Sequence, residues 1–143
     1  FNMFAVFMFG RTLESAWGQK RYLFYYLATG IGAGLIQLLV WYFMYDMPGA
    51  PTYILNMLTV VGASGAVFGV LVAFGMIFPN AELFIIPFPF PIKAKYFVIG
   101  YGLLELYLGF ANNPNDPVAH FAHLGGLIFG VIIILYWKKK DRR

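Results

Sequence analysis

Polar side chains are scarce inside the long apolar stretches of this sequence, and those that occur there are the groups that could carry chemistry. The set is Asn2, Thr29, Gln37, Ser64, Glu105, His120 and His123. If the stretches cross a membrane, polar groups within them are costly and often functional. A serine with a histidine nearby can form a nucleophile and its general base.

Ser64 lies in the run Gly62-Ala63-Ser64-Gly65, which supports two interpretations. In the first, Gly65 and Gly69 form a small-residue pattern that lets helices approach closely. In the second, Ser64 is a nucleophile at a helix start, where free backbone N–H groups can stabilise an oxyanion. Gly62 and Gly65 would then leave room for a substrate backbone. Spacing alone leaves both interpretations open.

Two histidines, His120 and His123, share one helix face because they are three residues apart. A neutral imidazole can accept a hydroxyl proton, so His123 is a candidate base for Ser64. A metal pair is an alternative, but the sequence has no cysteine and only Asp116 lies nearby as a further ligand. We therefore predict no metal and no other cofactor.

The elements that position these groups are predicted from composition. Of the 143 residues, 61% are hydrophobic and 11% charged, against about 25% charged in a soluble domain. We predict an all-α, polytopic transmembrane bundle in one domain, 1–143, and expect its N-terminus to be truncated. The breakers Pro48, Gly49 and Pro51 predict a loop before the third helix. The expected helices are 1–14, 20–45, 63–79, 94–111 and 117–138.

All ten lysines and arginines fall into three clusters, at 11–21, 93–95 and 138–143. Two crossings separate each cluster from the next, so all three lie on one side, which the positive-inside rule makes cytoplasmic. No continuous basic face for a nucleic acid is predicted. Ser64 and His123 each lie fifteen residues from a cytoplasmic helix end, about 22 Å along the axis, and therefore at similar depth.

Ser64 and His123 each lie in a longer sequence pattern. Gly62-Ala63-Ser64-Gly65 opens one apolar segment, and a later one reads Ala-His-x-x-Gly-x-x-x-Gly from Ala122 to Gly130. Together they resemble the signatures of the rhomboid intramembrane serine proteases. Phe1-Asn2-Met3 looks like the end of that family's His-x-x-x-Asn motif. Gly10 and Glu14 fit the stretch that follows it, so the resemblance runs from helix two to helix six of a six-helix core.

The resemblance implies a site and a reaction. Ser64 and His123 would form a catalytic dyad, and the Asn2 side chain with the Ser64 backbone N–H would hold the oxyanion. Phe68 takes the place of an aromatic residue, often tyrosine, that stacks on the catalytic imidazole. His120 matches no catalytic position. The implied substrates are single-span membrane proteins with helix-destabilising residues, cleaved within a bilayer, and the expected location is the bacterial cytoplasmic (inner) membrane.

The sequence departs from the family pattern in places, and two other functions remain as alternatives. The motif histidine four positions before Asn2, the first helix and its following loop are absent from it. One rival is a transporter or channel that uses Glu105 and His123 as a proton or ion relay. Another is an inactive relative acting as a membrane chaperone, against which the intact Ser64 and His123 argue. The oligomeric state is not predicted.

Overall fold

The computed structural model describes residues 2–45, 51–111 and 120–142, and for 41–45 and 51–62 it describes the helical backbone alone. The chain begins with α1 (Asn2–Ala5), a π-helical turn (Val6–Gly10) and α2 (Arg11–Trp17). This helix ends at Gly18, whose φ of 86° favours glycine and whose N–H donates to the Glu14 carbonyl over 2.8 Å.

Four longer helices form the body: α3 (Gln19–Tyr45), α4 (Pro51–Ile77), α5 (Ala94–Ala111) and α6 (His120–Asp141). The helices α3, α4 and α6 pack against one another, while α5 lies against α6 and α4. Between α4 and α5 the chain forms a short antiparallel hairpin, β1 (Glu82–Leu83) and β2 (Ile92–Lys93), with Glu82 opposite Lys93. The run Ile86-Pro87-Phe88-Pro89-Phe90-Pro91 in this hairpin is not helical, because proline lacks a backbone donor and restricts the residue before it.

The outer surface of the bundle is apolar. On α3 the large side chains four residues apart along the outward face are each more than half exposed: Leu23, Leu27, Ile31, Leu35 and Leu39. In the described part of the chain, Gln19–Val40 and His120–Asp141 are long and apolar enough to cross a membrane, and Ala63–Ile77 is a shorter apolar stretch. An exposed apolar stripe of this length suits lipid rather than water.

The start of α4 differs from the prediction of a loop before residue 63. The helix begins at Pro51, because proline is well tolerated at a first helical position, where its missing N–H would have no partner. The breaker that predicted a loop therefore starts the helix. Ser64 lies about three and a half turns into α4 rather than at its beginning.

Close contact between α4 and α6 depends on glycine. A Cβ at Gly126 would overlap the carbonyl oxygen of Gly65, and one at Gly130 would lie 3.5 Å from the Gly69 Cα. The small-residue faces of the two helices therefore pack directly against each other. The buried Tyr25 hydroxyl of α3 donates to the Gly69 carbonyl over 2.6 Å. This hydrogen bond links α3 to the α4–α6 contact.

Candidate active site

Ser64 sits on α4 where that helix is pressed against α6. It is half-buried, and its neighbour Gly65 would place a Cβ 3.2 Å from the carbonyl oxygen of Ala122. Ala122 immediately precedes His123 in the chain. The residues adjoining Ser64 and His123 are therefore in backbone contact, and the two candidate groups lie at one level of the α4–α6 interface.

The His123 ring is held on one face by Phe68. Their centroids lie 4.2 Å apart with planes only 10° from parallel, and both residues are buried. Phe68 follows Ser64 by four residues, so the two share a face of α4. Phe68 also contacts Tyr101 of α5, with centroids 5.0 Å apart. The three helices α4, α5 and α6 thus meet around the imidazole.

Glu105, the acidic group that the transporter alternative pairs with His123, lies beside the imidazole. Glu105 of α5 is 4% exposed, so it faces protein. Its Oε2 atom is in very short contact with His120 Nδ1 and lies 3.1 Å from His123 Nδ1. The second approach is not aligned as a hydrogen bond: within the described residues His123 Nδ1 has no hydrogen-bond partner.

A signal for this contact existed in the sequence. Gly102, Glu105 and Gly109 share one face of α5, at spacings of three and four residues. In the fold that face meets α6: a Cβ at Gly102 would lie 3.1 Å from Leu127, and one at Gly109 3.2 Å from Phe121. Periodicity indicated a packed face but could not show which helix covers it.

The other predicted site groups are Asn2, the Ser64 backbone N–H and Gly62, and they lie in less closely packed or helical surroundings. Asn2 is exposed on α1, an element that packs against α4. The Ser64 N–H lies in a helix interior, where each amide donates to the carbonyl four residues earlier. This corrects the expectation of a free N–H at a helix start. Gly62 lies in the part of α4 described by backbone alone.

Gly65 is buried rather than open to a substrate. A Cβ there would collide with the Ala33 methyl group of α3. Close packing of three helices, one of the two interpretations that the sequence left open, accounts for this glycine. The expectation that Gly65 leaves space for a substrate backbone is therefore corrected, because α3 and α6 already occupy that space.

The structure also changes the argument about metals. Glu105, His120 and His123 are buried and offer ligand atoms that all lie within 4.8 Å of one another. The sequence had disfavoured a metal pair for want of a third ligand, and Glu105 supplies that third donor. The alternative ligand Asp116 lies outside the described residues.

Known proteins resemble nearly the whole chain. A family model for the Rhomboid domain matches residues 1–140. The chain is 32% identical over 138 residues to Rhomboid protease AarA of Providencia stuartii, covering 93% of this chain and 48% of that protein. It is 30% identical over 148 residues to Rhomboid protein 1, mitochondrial, of Saccharomyces cerevisiae, covering 96% and 37%. The chain thus spans about half or less of these relatives. No solved structure gives a significant match.

Proposed function

The chain belongs to the rhomboid family, and we propose that it provides the catalytic part of an intramembrane serine endopeptidase. The observation that carries this proposal is the buried His123 ring stacked on Phe68, one turn along α4 from Ser64. Stacking limits the rotation of an imidazole and keeps its edge directed at a fixed partner. One of the two matched relatives is named a protease, which supports the same reaction.

The reaction is peptide-bond hydrolysis through an acyl-enzyme. Ser64 Oγ adds to the scissile carbonyl carbon while His123 accepts the hydroxyl proton. His123 then returns that proton to the leaving amine as the carbon–nitrogen bond breaks. A water molecule, deprotonated by the same imidazole, hydrolyses the ester and regenerates Ser64. Water must therefore reach Ser64 from the external side of the membrane.

The oxyanion needs donors placed before the reaction begins. We assign one donor to the Asn2 side chain, carried by α1 beside α4. A second donor at the Ser64 N–H requires that the first turns of α4 open, because a helix interior commits that amide to a carbonyl. Losing one oxyanion donor typically lowers kcat by about 10²–10³-fold.

The proposed substrates are single-span membrane proteins. A helical span has its carbonyls hydrogen-bonded within the segment, so a scissile bond must leave the helix before Ser64 can attack it. Proline or glycine near the cleavage site lowers that cost. We therefore expect cleavage of a span carrying such residues and little cleavage of the same span with leucine in their place.

A proton relay through Glu105 and His123 is the competing proposal, and their 3.1 Å approach is the observation that favours it. A relay needs ionisable groups at successive depths across the membrane. In the described spans Glu105 is the sole buried acidic residue, and its ligand atoms lie close to those of His120 and His123. That arrangement favours the hydrolase.

Covalent labelling separates these proposals. The chain contains two serines, Ser64 and Ser15, and Ser15 Oγ donates to the Arg11 carbonyl on α2 over 3.0 Å. A fluorophosphonate should modify the protein in liposomes at Ser64 and leave Ser15 unmodified. Ser64→Ala should abolish both labelling and cleavage of a membrane substrate without lowering the thermal unfolding temperature. Undiminished cleavage by that variant would refute the assignment.

A further inference from the structure

Glu105 is a buried carboxylate that the Ser64–His123 mechanism does not use. It lies on the glycine-lined face of α5 that packs against α6. Burying a carboxylate is costly unless partners compensate it. In the described spans the groups that meet it are the Nδ1 atoms of His120 and His123, both directed at the same oxygen, Oε2. The buried Glu105 carboxylate between two histidines is therefore a candidate for a functional role.

We propose that Glu105 is a positioning residue for His123, so that the hydrolytic site is a Ser64–His123–Glu105 triad rather than a dyad. This inference rests on the proposed function. Oε2 lies 3.1 Å from His123 Nδ1, which is within hydrogen-bond length. The angle is unsuitable in this state, since His123 Nδ1 has no hydrogen-bond partner within the described residues. The triad therefore requires a change in the relative orientation of the Glu105 carboxyl group and the His123 ring during catalysis.

The chemical consequence follows from the two ring nitrogens. A carboxylate at Nδ1 favours the tautomer that carries its proton there, which leaves the Nε2 lone pair free to accept the Ser64 proton. The same carboxylate stabilises the imidazolium ion formed during that transfer. Phe68 stacks on the ring face and does not occupy the ring edge. The face of the His123 ring thus contacts α4, and its Nδ1 edge lies against α5.

His120 takes the part of an anchor for the carboxylate. Its Nδ1 is hydrogen-bonded to Oε2, and its ring is perpendicular to that of His123 with centroids 6.3 Å apart. The bond fixes the Glu105 side chain between the two histidines while the second lone pair of Oε2 remains available. Glu105 therefore links the histidine that matches no catalytic position to the one that does.

A resident metal ion fits the contacts less well than a shared proton. Zinc–ligand bonds of about 2.0–2.1 Å in tetrahedral geometry hold ligand atoms more than about 3 Å apart. His120 Nδ1 and Glu105 Oε2 are in direct hydrogen-bond contact with each other rather than spaced around a common centre. The arrangement suits a proton between nitrogen and oxygen.

The test compares Glu105→Gln with wild type in liposomes. The glutamine amide can donate to Nδ1 and thereby favour the tautomer whose Nε2 already carries a proton, which cannot accept another. We expect kcat and the rate of fluorophosphonate labelling at Ser64 to fall about 10²-fold or more, with KM unchanged. Tyr107→Phe, altered on the exposed face of the same helix, is the matched control and should retain wild-type kcat. Glu105→Asp should recover part of the lost rate.

Every result of this comparison either supports the triad or overturns it. A glutamine variant within twofold of wild-type kcat overturns the triad, as does loss of activity to EDTA with restoration by zinc, which would establish a metal site. If Glu105→Gln fails to fold, proton NMR of the wild type decides: a strongly deshielded His123 Nδ1 proton supports the proposal and its absence overturns it. Absence of Ser64 labelling in wild type would instead count against the proposed function, leaving the NMR result to judge Glu105.

Discussion

At the scale of single residues, the two histidines of α6 show how neighbouring positions acquire different chemistry. Both are buried and three residues apart. His123 stacks on Phe68, while His120 is hydrogen-bonded to Glu105. The rise of about 4.5 Å between them allows one of the two to match the depth of Ser64. In the proposed mechanism His123 takes the reactive position and His120 an anchoring one.

This difference predicts opposite results for two alanine variants. His123→Ala should lower kcat by about 10²–10⁴-fold because the general base is removed. His120→Ala should lower kcat far less, because the general base and the Glu105 carboxylate both remain and the anchor of that carboxylate is the group removed. It should lower the free energy of unfolding by about 1–3 kcal/mol, because a buried carboxylate loses a partner. Steady-state cleavage and thermal unfolding in detergent measure the two effects.

The opposite pattern is informative. If His120→Ala silenced the enzyme and His123→Ala did not, the histidine motif would be assigned one helical turn away from its correct position. Phe68 would then stack on a residue with no catalytic part.

The sequence identified most of the candidate residues because their types are rare in apolar spans. Ser64, His123, Glu105 and Asn2 could each be selected on that basis alone. The Glu105–His123 approach could not, because it depends on which side of α6 is covered by α5. Nor could the burial of Gly65 under Ala33, since that contact joins residues thirty-two positions apart. The sequence shows which residue types are present, but it does not show which residues become neighbours in the folded chain.

At the scale of helices, the α4–α6 contact depends on the absence of side chains. In a membrane, helices associate through close packing rather than through exclusion of water, so small residues at the interface matter. Gly126 faces the Gly65 carbonyl directly. The backbone there cannot move aside as a flexible side chain could. The separation of Ser64 and His123 is therefore controlled by this glycine.

Gly126→Ala should separate the two helices, whereas Gly100→Ala should not. The new methyl group at 126 would overlap backbone, and overpacking of this kind costs about 1–3 kcal/mol. A Cβ at Gly100 on α5 meets nothing within 4 Å, and alanine is the better helix former by up to about 1 kcal/mol. Thermal unfolding in detergent should fall for the first variant and hold or rise for the second. Equal melting temperatures would contradict the packing argument.

Helix positions were predicted more reliably than helix ends. Apolar length fixed α3, α5 and α6 to within a few residues, because a span must match the thickness of the bilayer. The start of α4 was wrong by a dozen positions, since Pro51 both breaks a preceding helix and begins a new one. The short strands of the hairpin, two residues each, carry too few residues to show a period.

At the scale of the whole molecule, polar and apolar surfaces are separated along the bundle. The basic C-terminal end of α6 is joined to α3 by the Arg21–Asp141 ion pair, 2.9 Å between Nη2 and Oδ2. The Arg21 guanidinium also lies 4.2 Å from the Trp137 ring centroid. The pair is exposed and contributes little stability alone. Its position marks the level at which both helices leave the apolar layer, as expected for an integral membrane protein.

The clustering of all ten basic residues at the α2–α3, hairpin and C-terminal regions predicts a single orientation, with those regions cytoplasmic. The chain has no cysteine, so single cysteines can report each side. Glu82→Cys and Lys140→Cys should react with an impermeant maleimide only in inside-out vesicles, and Asp116→Cys only in intact cells. Ser64 and His123, about 20 Å and about 27 Å from the ends of α4 and α6 at Ile77 and Asp141, then lie in the outer half of the membrane, where external water can reach them. Labelling of Lys140→Cys in intact cells would reverse the orientation and remove that route for water.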